Sequence, residues 1–206
     1  MTPEDRAGTP LLVVRGLAHR YGRSEVLRGV DLDVAPGTLV GVVGENGSGK
    51  STLLKVLAGR LAPRAGQVTI RGRVGYCPQD PLVFDALTIA ENLAWFAAAY
   101  GIPDWKAAAA DLLVRYQISS LLGRLVSEIS GGTRQKLNLC LALLHDPEIL
   151  LLDEPYAGFD WETYVHFWEH AEDLKAAGKG VVVVSHLLHD RPRFDAILTL
   201  VDGRLG

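Results

Sequence analysis

Apolar runs and helix-like runs alternate along the chain. Runs of four or five mostly apolar residues are typical of strands that are buried on both faces of a parallel sheet. Such runs cover residues 39–43, 149–152 and 181–184. A helix-like run over residues 51–58 follows the first of them. Because strands alternate with helices in this way, the sequence predicts an α/β fold.

Shorter patterns predict further strands. They cover residues 11–14, 30–34 and 197–201. The second of these shows the alternation of a half-exposed sheet. Residues 67–70 and 73–76 flank Arg71-Gly72, and this spacing predicts a tight hairpin.

Residues from about 87 to 122 have a different character, with Ala-rich and Leu-rich helical patterns that break at Gly101-Ile102-Pro103. This block predicts a helical subdomain inserted into the α/β core. Of its aromatic residues Trp95, Phe96 and Tyr100, we expect at least half to pack in the core.

Composition narrows the functional class. The 206 residues suit one large domain, or one domain with a small subdomain. A net charge of −3 provides no basic surface for nucleic acid. Cys77 and Cys140 are far apart, which argues against a zinc site or a disulfide framework and fits a reducing cytosol. We find no signal-peptide pattern and no apolar run that could span a bilayer.

The most informative segment is residues 44–51, which fits the phosphate-binding P-loop pattern G-x-x-x-x-G-K-[ST] between a predicted strand and a predicted helix. Its backbone N–H groups and the helix N-terminus would face phosphate oxygens. Lys50 would reach the β- and γ-phosphates, and the Ser51 hydroxyl would ligate Mg²⁺. The expected nucleotide-binding residues are Gly44, Glu45, Asn46, Gly47, Ser48, Gly49, Lys50, Ser51 and Thr52.

Two carboxylates follow the apolar run 149–152. The C-terminal ends of parallel strands are where α/β sheets place ligands. We expect Asp153 to bind Mg²⁺, directly or through water, and Glu154 to act as general base toward an attacking water. Alone, the segment fits equally well a buried strand that ends in a solvated acidic turn; the P-loop favours the catalytic interpretation.

Ser130-Gly131-Gly132 is a third signal. Ser130 is a good N-cap for a helix with Leu137, Leu141 and Leu144 on one face. The glycines beside the cap leave N–H groups open to an anion. Without the other motifs, the segment would be read as an ordinary capped helix.

In this order, the motifs resemble those of the nucleotide-binding subunits of ATP-binding cassette (ABC) transporters, over nearly the whole chain. Residues 44–51 match Walker A, residues 149–154 match Walker B, and Ser130-Gly131-Gly132 match the signature. Single residues match the adenine-stacking aromatic (Tyr21), the Q-loop glutamine (Gln79), the D-loop aspartate (Asp160) and the switch histidine (His186), for which His189 is a weaker candidate.

The resemblance implies a P-loop NTPase core with a mostly parallel sheet flanked by helices, an antiparallel β subdomain and a helical signature subdomain. The expected core spans residues 1–86 and 146–206, and the helical part spans about 87–145.

The resemblance also implies the chemistry. ATP and Mg²⁺ would bind, with Ser51, Gln79 and Asp153 at the metal and with Glu154, His186 and Gln79 as catalytic residues. Two ATPase subunits, identical or paralogous, would enclose the nucleotides. Ser130, Gly131 and Gly132 would contact the partner's ATP, and Asp160 would lie at the dimer interface.

A separate transmembrane permease would dock on the helical subdomain, where the exposed aromatics of the block would be docking surface. This places the chain in the cytoplasm, on the inner face of the membrane. Nucleic acid is not an expected partner.

The chain departs from the family pattern at Ile129, where Leu is usual, and at Thr133, where Gln is usual. We expect Thr133 to be tolerated, at some cost in rate. The segment 130–136, the Asp80-Pro81-Leu82-Val83-Phe84 stretch and the compact length look similar to drug exporters. Two alternatives remain open: a soluble ABC-type ATPase outside transport, and a weakly catalytic nucleotide-sensing subunit of a heterodimer.

Overall fold

The computed structural model describes residues 9–186 and 190–206, and within these residues the chain forms two sheets and five α-helices. The antiparallel sheet has the order β2-β1-β4 and consists of β1 (Leu12–Tyr21), β2 (Ser24–Val34) and β4 (Ala65–Ile70). The larger sheet has the order β5-β6-β7-β3-β8-β9. Its strands are β3 (Leu39–Val43), β5 (Val74–Cys77), β6 (Ile149–Asp153), β7 (Gly180–Ser185), β8 (Ala196–Val201) and β9 (Arg204–Leu205).

Five strands of the larger sheet run parallel, and β9 pairs antiparallel with β8. The helices are α1 (Lys50–Leu57), α2 (Ile89–Ala99), α3 (Trp105–Arg115), α4 (Gly131–Leu143) and α5 (Trp161–Ala176). The α/β fold with a mostly parallel sheet, an antiparallel sheet and a helical region is therefore confirmed. No helix among the described residues is long and apolar enough to cross a membrane.

The central strands β6 and β7 contribute to two cores. Leu150, Leu152, Val181 and Val183 belong to one core, which they share with α2, α3, α4 and α5. Ile149, Leu151, Val182 and Val184 belong to the other, which they share with α1 and the antiparallel sheet. This alternation explains the continuous apolar runs, because both faces of these strands are covered.

The predicted hairpin over residues 67–76 is wrong. The two strands belong to different sheets: β4 pairs antiparallel with β1, whereas β5 pairs parallel with β6. The backbone groups of Arg73, just after the turn, bond to Glu148, the residue before β6. A turn signal such as Arg71-Gly72 reports a local change of direction but not the partner of the next strand.

Two strands are longer than predicted. The expected strands at 11–14 and 30–34 are parts of the longer β1 and β2, which extend to the turn at residues 22–23. Shifts of register after Val14 and after His19 interrupt the alternation of buried and exposed positions. The sequence pattern therefore shows only the regular ends of this pair.

The aromatic expectation in the helical region is also wrong. Only Phe96 packs partly against the core, while Trp95 and Tyr100 are exposed. The break at residues 101–103 falls as expected between α2 and α3. Helix α2 begins with a capping box, in which Thr88 and Glu91 satisfy each other's backbone N–H groups.

Candidate functional site

The P-loop connects β3 to α1 and is fixed by close backbone approaches on two sides. Gly49 has φ +108°, and a Cβ there would lie 2.9 Å from the Val26 carbonyl oxygen of β2. A Cβ on Gly44 would lie 2.5 Å from the Leu200 carbonyl oxygen of β8. Both positions therefore require glycine, because any side chain would push the loop away from the strands that hold it.

Lys50 is the first residue of α1, and its side chain is buried. Its Nζ donates hydrogen bonds to the carbonyl oxygens of Gly44 at 2.6 Å and Glu45 at 2.9 Å. The ammonium group is thereby held across the loop. The helix N-terminus adds partial positive charge at the same place. The loop, Lys50 and the helix N-terminus together have the chemical groups that an anion-binding site needs.

Asp153 ends β6 with only 3% of its surface exposed. Burial raises the pKa of its carboxyl group, and the nearby charge of Glu154 adds to this rise. The Ser51 hydroxyl group opposes the rise through a hydrogen bond to the carboxylate. The first residues of the P-loop helix and the end of β6 are therefore in direct contact.

The chain leaves the sheet at Glu154, whose backbone has φ +48°, a conformation that is costly for residues other than glycine. Its N–H donates to the Val184 carbonyl at 2.9 Å. Oε2 of Glu154 accepts from the Ser185 hydroxyl at 2.8 Å, and Oε1 accepts from the His186 backbone N–H at 2.7 Å. These contacts fix the carboxylate at the edge of the sheet.

The His186 ring also faces this carboxylate, with Nδ1 2.8 Å from Oε1 of Glu154. A carboxylate can only accept, so Nδ1 carries the proton in this contact. The other ring nitrogen, Nε2, is then left to exchange a proton or hydrogen bond elsewhere. His189, the weaker candidate, lies outside the described residues.

One cavity of about 600 Å³ brings most of the predicted residues together. The residues that line it and that the sequence predicted for the site are Asn46, Gly47, Gly49, Lys50, Ser51, Thr52, Gln79, Asp153, Glu154 and His186. The rest of the P-loop, Gly44, Glu45 and Ser48, lines an adjoining cavity of about 600 Å³ beside β2 and β8.

Two further lining residues, Val26 and Ala157, are ones that sequence reasoning missed. Val26 lies in β2, where the sequence pattern shows no regular alternation. Ala157 lies in the turn after β6. Their place in the cavity depends on packing between distant parts of the chain.

Tyr21 is not among the residues that line the cavity. It ends β1, is 50% exposed, and meets the His19 ring edge-on with a centroid distance of 4.9 Å. An exposed ring at this turn is available for stacking.

The signature residues and Asp160 also lie away from this cavity, at the starts of two other helices. Ser130 caps α4, with its Oγ accepting from the Thr133 N–H at 3.2 Å. Asp160 caps α5 through the Thr163 N–H at 2.8 Å and pairs with Lys136 of α4 at 3.2 Å. The bond from Thr163 is the largest cause that lowers the pKa of Asp160.

The signature and the turn after β6 are in backbone contact. A Cβ on Gly132 would lie 2.4 Å from the Gly158 carbonyl oxygen, whereas a Cβ on Gly131 would meet no atom within 4 Å. Gly132 therefore lets α4 approach the segment that leads from Glu154 to Asp160.

Oxygen donors at the site fit a magnesium ion. Ser51, Gln79 and Asp153 supply hydroxyl, amide and carboxylate oxygens to one cavity, and Mg²⁺ prefers such ligands. Among the described residues, no cluster of three or more His, Cys, Asp or Glu side chains could hold a metal ion. Mg²⁺ commonly binds through one or two carboxylates, with substrate phosphates and water completing its shell.

Comparison with known proteins gives a consistent result. A family model described as ABC transporter matches residues 27–157. The zinc import ATP-binding protein ZnuC of Jannaschia sp. (strain CCS1) is 40% identical over 183 residues, which cover 87% of this chain and 74% of that protein. The Nod factor export ATP-binding protein I of Ralstonia nicotianae is 32% identical over 209 residues, which cover 95% of this chain and 65% of that protein.

Some relatives are much longer than this chain. ABC transporter G family member 20 of Dictyostelium discoideum is 28% identical over 206 residues, which cover 93% of this chain but only 28% of that protein. The chain thus spans between 28% and 74% of the length of these three relatives.

Solved structures agree with the fold. The structure of an ATP binding subunit of an ABC transporter matches with a TM-score of 0.89 and 30% identity, covering 95% of this chain and 88% of its own. A dimeric bacterial ABC transporter cassette has the same fold, with a TM-score of 0.84 at 23% identity over 94% of this chain and 96% of its own.

Proposed function

The chain belongs to the ABC transporter family, whose ATP-binding cassettes are ATPases, and on this premise we propose that it binds ATP with Mg²⁺ and hydrolyses it to drive a separate membrane subunit. The observation that carries this proposal is the single cavity that gathers P-loop residues, Gln79, both carboxylates and His186. A phosphate cradle and a held carboxylate at one cavity are the parts that hydrolysis of a nucleotide requires.

Each residue has a part in this chemistry. The P-loop N–H groups and Lys50 hold the phosphates, and Ser51, Gln79 and Asp153 hold the metal. Mg²⁺, when bound, neutralises charge on the phosphate oxygens. Glu154 accepts a proton from the attacking water, and its fixed carboxylate keeps that water in line. His186 orients Glu154 through Nδ1, and as an imidazolium it would also donate a hydrogen bond from Nε2 to the γ-phosphate.

The signature residues complete a different ATP site. Because Ser130, Gly131 and Gly132 do not line the cavity of their own chain, a second ATPase subunit would place them over the nucleotide of its partner. Likeness to a dimeric bacterial cassette supports this arrangement at the level of the fold. Asp160 would lie at the same interface, next to the contact between Gly132 and Gly158.

An exposed aromatic patch on the helical region supports docking of a membrane subunit. The rings of Phe84 and Trp95 meet edge-to-face with their centroids 4.7 Å apart, and those of Trp95 and Phe96 do so at 5.1 Å. Tyr100 extends the patch, and Leu82 is exposed near its start. Exposed apolar side chains in a connected group are typical of protein interaction sites. Docking there would place the chain on the inner face of the membrane.

The proposed direction of transport is export. The Nod factor export proteins among the relatives, together with the Thr133-Arg134-Gln135-Lys136 segment, support this direction. The zinc import relative has the opposite direction in its name. ATP-driven transport into or out of oriented vesicles, with the membrane subunit present, distinguishes the two.

The test uses a variant that binds ATP but cannot activate water. Glu154→Gln protein is examined by size-exclusion chromatography with light scattering, with and without ATP and Mg²⁺. We expect an ATP-dependent shift from monomer to dimer, and a steady-state ATPase rate reduced by about 100-fold or more relative to the wild type. Equal ATPase rates for the two proteins would favour the weakly catalytic sensing subunit. ATP binding without a shift would mean that a paralogue or the membrane subunit is needed.

A further inference from the structure

Helix α4 carries two fully buried amide side chains on one face. Gln135 is 4% exposed and Asn138, three residues later, is 2% exposed. Side chains at this spacing are neighbours on a helix, and the Asn138 Nδ2 lies 3.4 Å from the Gln135 Oε1. Buried amides are costly unless they are hydrogen-bonded, so their partners indicate what they are for.

Asn138 spans the segment that contains Gln79. Its Nδ2 donates to the Pro78 carbonyl at 2.9 Å, and its Oδ1 accepts from the Leu82 N–H at 3.2 Å. One amide group thus holds the residue before Gln79 and a residue three positions after it. The acceptor bond from Leu82 fixes the amide orientation, because only Oδ1 can accept a backbone N–H.

Gln135 bonds to the loop that follows β6 and carries Glu154. Its Nε2 donates to the Pro155 carbonyl at 3.3 Å, directly after Glu154. The same helix begins at Gly131, next to the Ser130 cap of the signature. A helix is stiff along its axis, so a displacement at the signature moves both amides together. The two loops that carry Gln79 and Glu154 therefore share one support.

We propose that Asn138 is a positioning residue for ATP hydrolysis, which holds Gln79 in place and transmits the position of the signature helix to it. This inference rests on the proposed function, because it assumes that Gln79 acts at the metal and the γ-phosphate. In a dimer, the signature of one chain meets the partner's ATP while Asn138 acts on its own chain's site. The amide therefore connects the two nucleotide sites.

Asn92 provides a matched control. It is a buried asparagine on α2 that also holds a loop, with Oδ1 accepting from the Phe84 N–H at 2.8 Å and Nδ2 donating to the Thr88 carbonyl at 2.9 Å. Its bonds lie beyond the Gln79 segment. Replacing it removes the same chemistry without touching the proposed coupling.

The experiment measures steady-state ATPase rates, ATP affinity and thermal stability for the wild type, Asn138→Ala, Asn92→Ala, Gln79→Ala and the double variant Gln79→Ala/Asn138→Ala. Both asparagine variants should lose similar thermal stability. For Asn138→Ala we expect kcat to fall by about tenfold or more while the ATP dissociation constant changes by less than about twofold. Asn92→Ala should keep kcat within about twofold of the wild type.

The double variant decides between positioning and general destabilisation. If Asn138 acts through Gln79, the double variant should be no slower than Gln79→Ala alone. If the losses of kcat in the two single variants multiply in the double variant, or if kcat falls equally in Asn92→Ala, the inference is wrong. The proposed function still stands in these cases, provided that the wild type hydrolyses ATP. A wild type that binds ATP but does not hydrolyse it overturns the proposed function and this inference with it.

Discussion

Nδ1 of His186 lies 2.8 Å from Oε1 of Glu154, and the two residues follow neighbouring parallel strands. Strand β6 ends at Asp153 and β7 ends at Ser185, so each residue is the first beyond its strand. Register between the strands, rather than nearness in sequence, makes this contact. It places a histidine and a carboxylate at the edge of the sheet where the P-loop also opens.

Removing the His186 ring should impair catalysis more than binding. For His186→Ala we expect kcat for ATP to fall about 100-fold, because the Glu154 carboxylate loses its one contact with an imidazole ring and with it part of its orientation. Ser185→Ala removes the bond to Oε2 but leaves both His186 contacts to Oε1, so it should have a smaller effect. Steady-state kinetics with ATP binding measured separately check this. A rate for His186→Ala equal to that of the wild type would show that the contact has no part in catalysis.

The two signature glycines should differ in their tolerance of a methyl group. Gly132→Ala places a Cβ against the Gly158 carbonyl oxygen, so we expect a loss of about 1–3 kcal/mol in the free energy of unfolding. Gly131→Ala meets no atom and should be neutral or slightly stabilising. Urea denaturation of both variants compares them. Equal stabilities would mean that α4 does not pack on this turn as described.

Acid should destabilise the protein partly through His170. Burial lowers the pKa of His170 to about 4, and the charge of Arg115 adds to this effect. An unfolded histidine titrates near pH 6.5, so between about pH 6.5 and 4 the unfolded chain binds more protons than the folded one. The contribution of His170 is therefore complete above about pH 6.5 and is lost as the pH falls toward 4.

The matched variant for this prediction is His170→Gln, which keeps an acceptor for the Tyr116 hydroxyl 2.9 Å from the ring nitrogen. Thermal melts from pH 7.5 to 4.5 should show a smaller loss of stability for His170→Gln than for the wild type. Parallel curves for the two proteins would assign the acid sensitivity to other groups.

Tyr21 should contribute to affinity through its ring and not its hydroxyl group. Stacking of a base on an aromatic side chain contributes about 1–3 kcal/mol, which corresponds to roughly a 5- to 150-fold change in ATP dissociation constant for Tyr21→Ala. Tyr21→Phe should bind ATP as the wild type does. Fluorescence titration with a labelled nucleotide measures both. Unchanged binding by Tyr21→Ala would place the adenine elsewhere.

Local motifs were predictable because their physics is local. The P-loop, the Ser130 cap and the Walker B strand each depend on a few consecutive residues, and the structure has them where the sequence places them. What could not be predicted depends on distant packing. Neither the transfer of β5 to the larger sheet nor the place of Val26 in the cavity leaves a signal within its own segment.

The exposed aromatic residue Trp95 on α2 is another feature that could not be predicted from the sequence. Helical spacing shows that Leu93 and Ala97 share a face, and both are buried. The same spacing does not reveal which other face of the helix stays exposed. That information lies in the packing of α2 on α3 and α4, so Trp95 could be identified as exposed only from the structure.

The alternation of side chains along β6 and β7 separates the molecule mechanically into two sides. The helices α2 to α5 rest on one face of the larger sheet, and α1 with the antiparallel sheet rests on the other. A tilt of the helical side can therefore rearrange one set of contacts while the opposite set keeps the P-loop and its helix in place. On one face the antiparallel sheet and α1 pack together and support the P-loop, whereas the exposed Trp95 belongs to a helix on the opposite face.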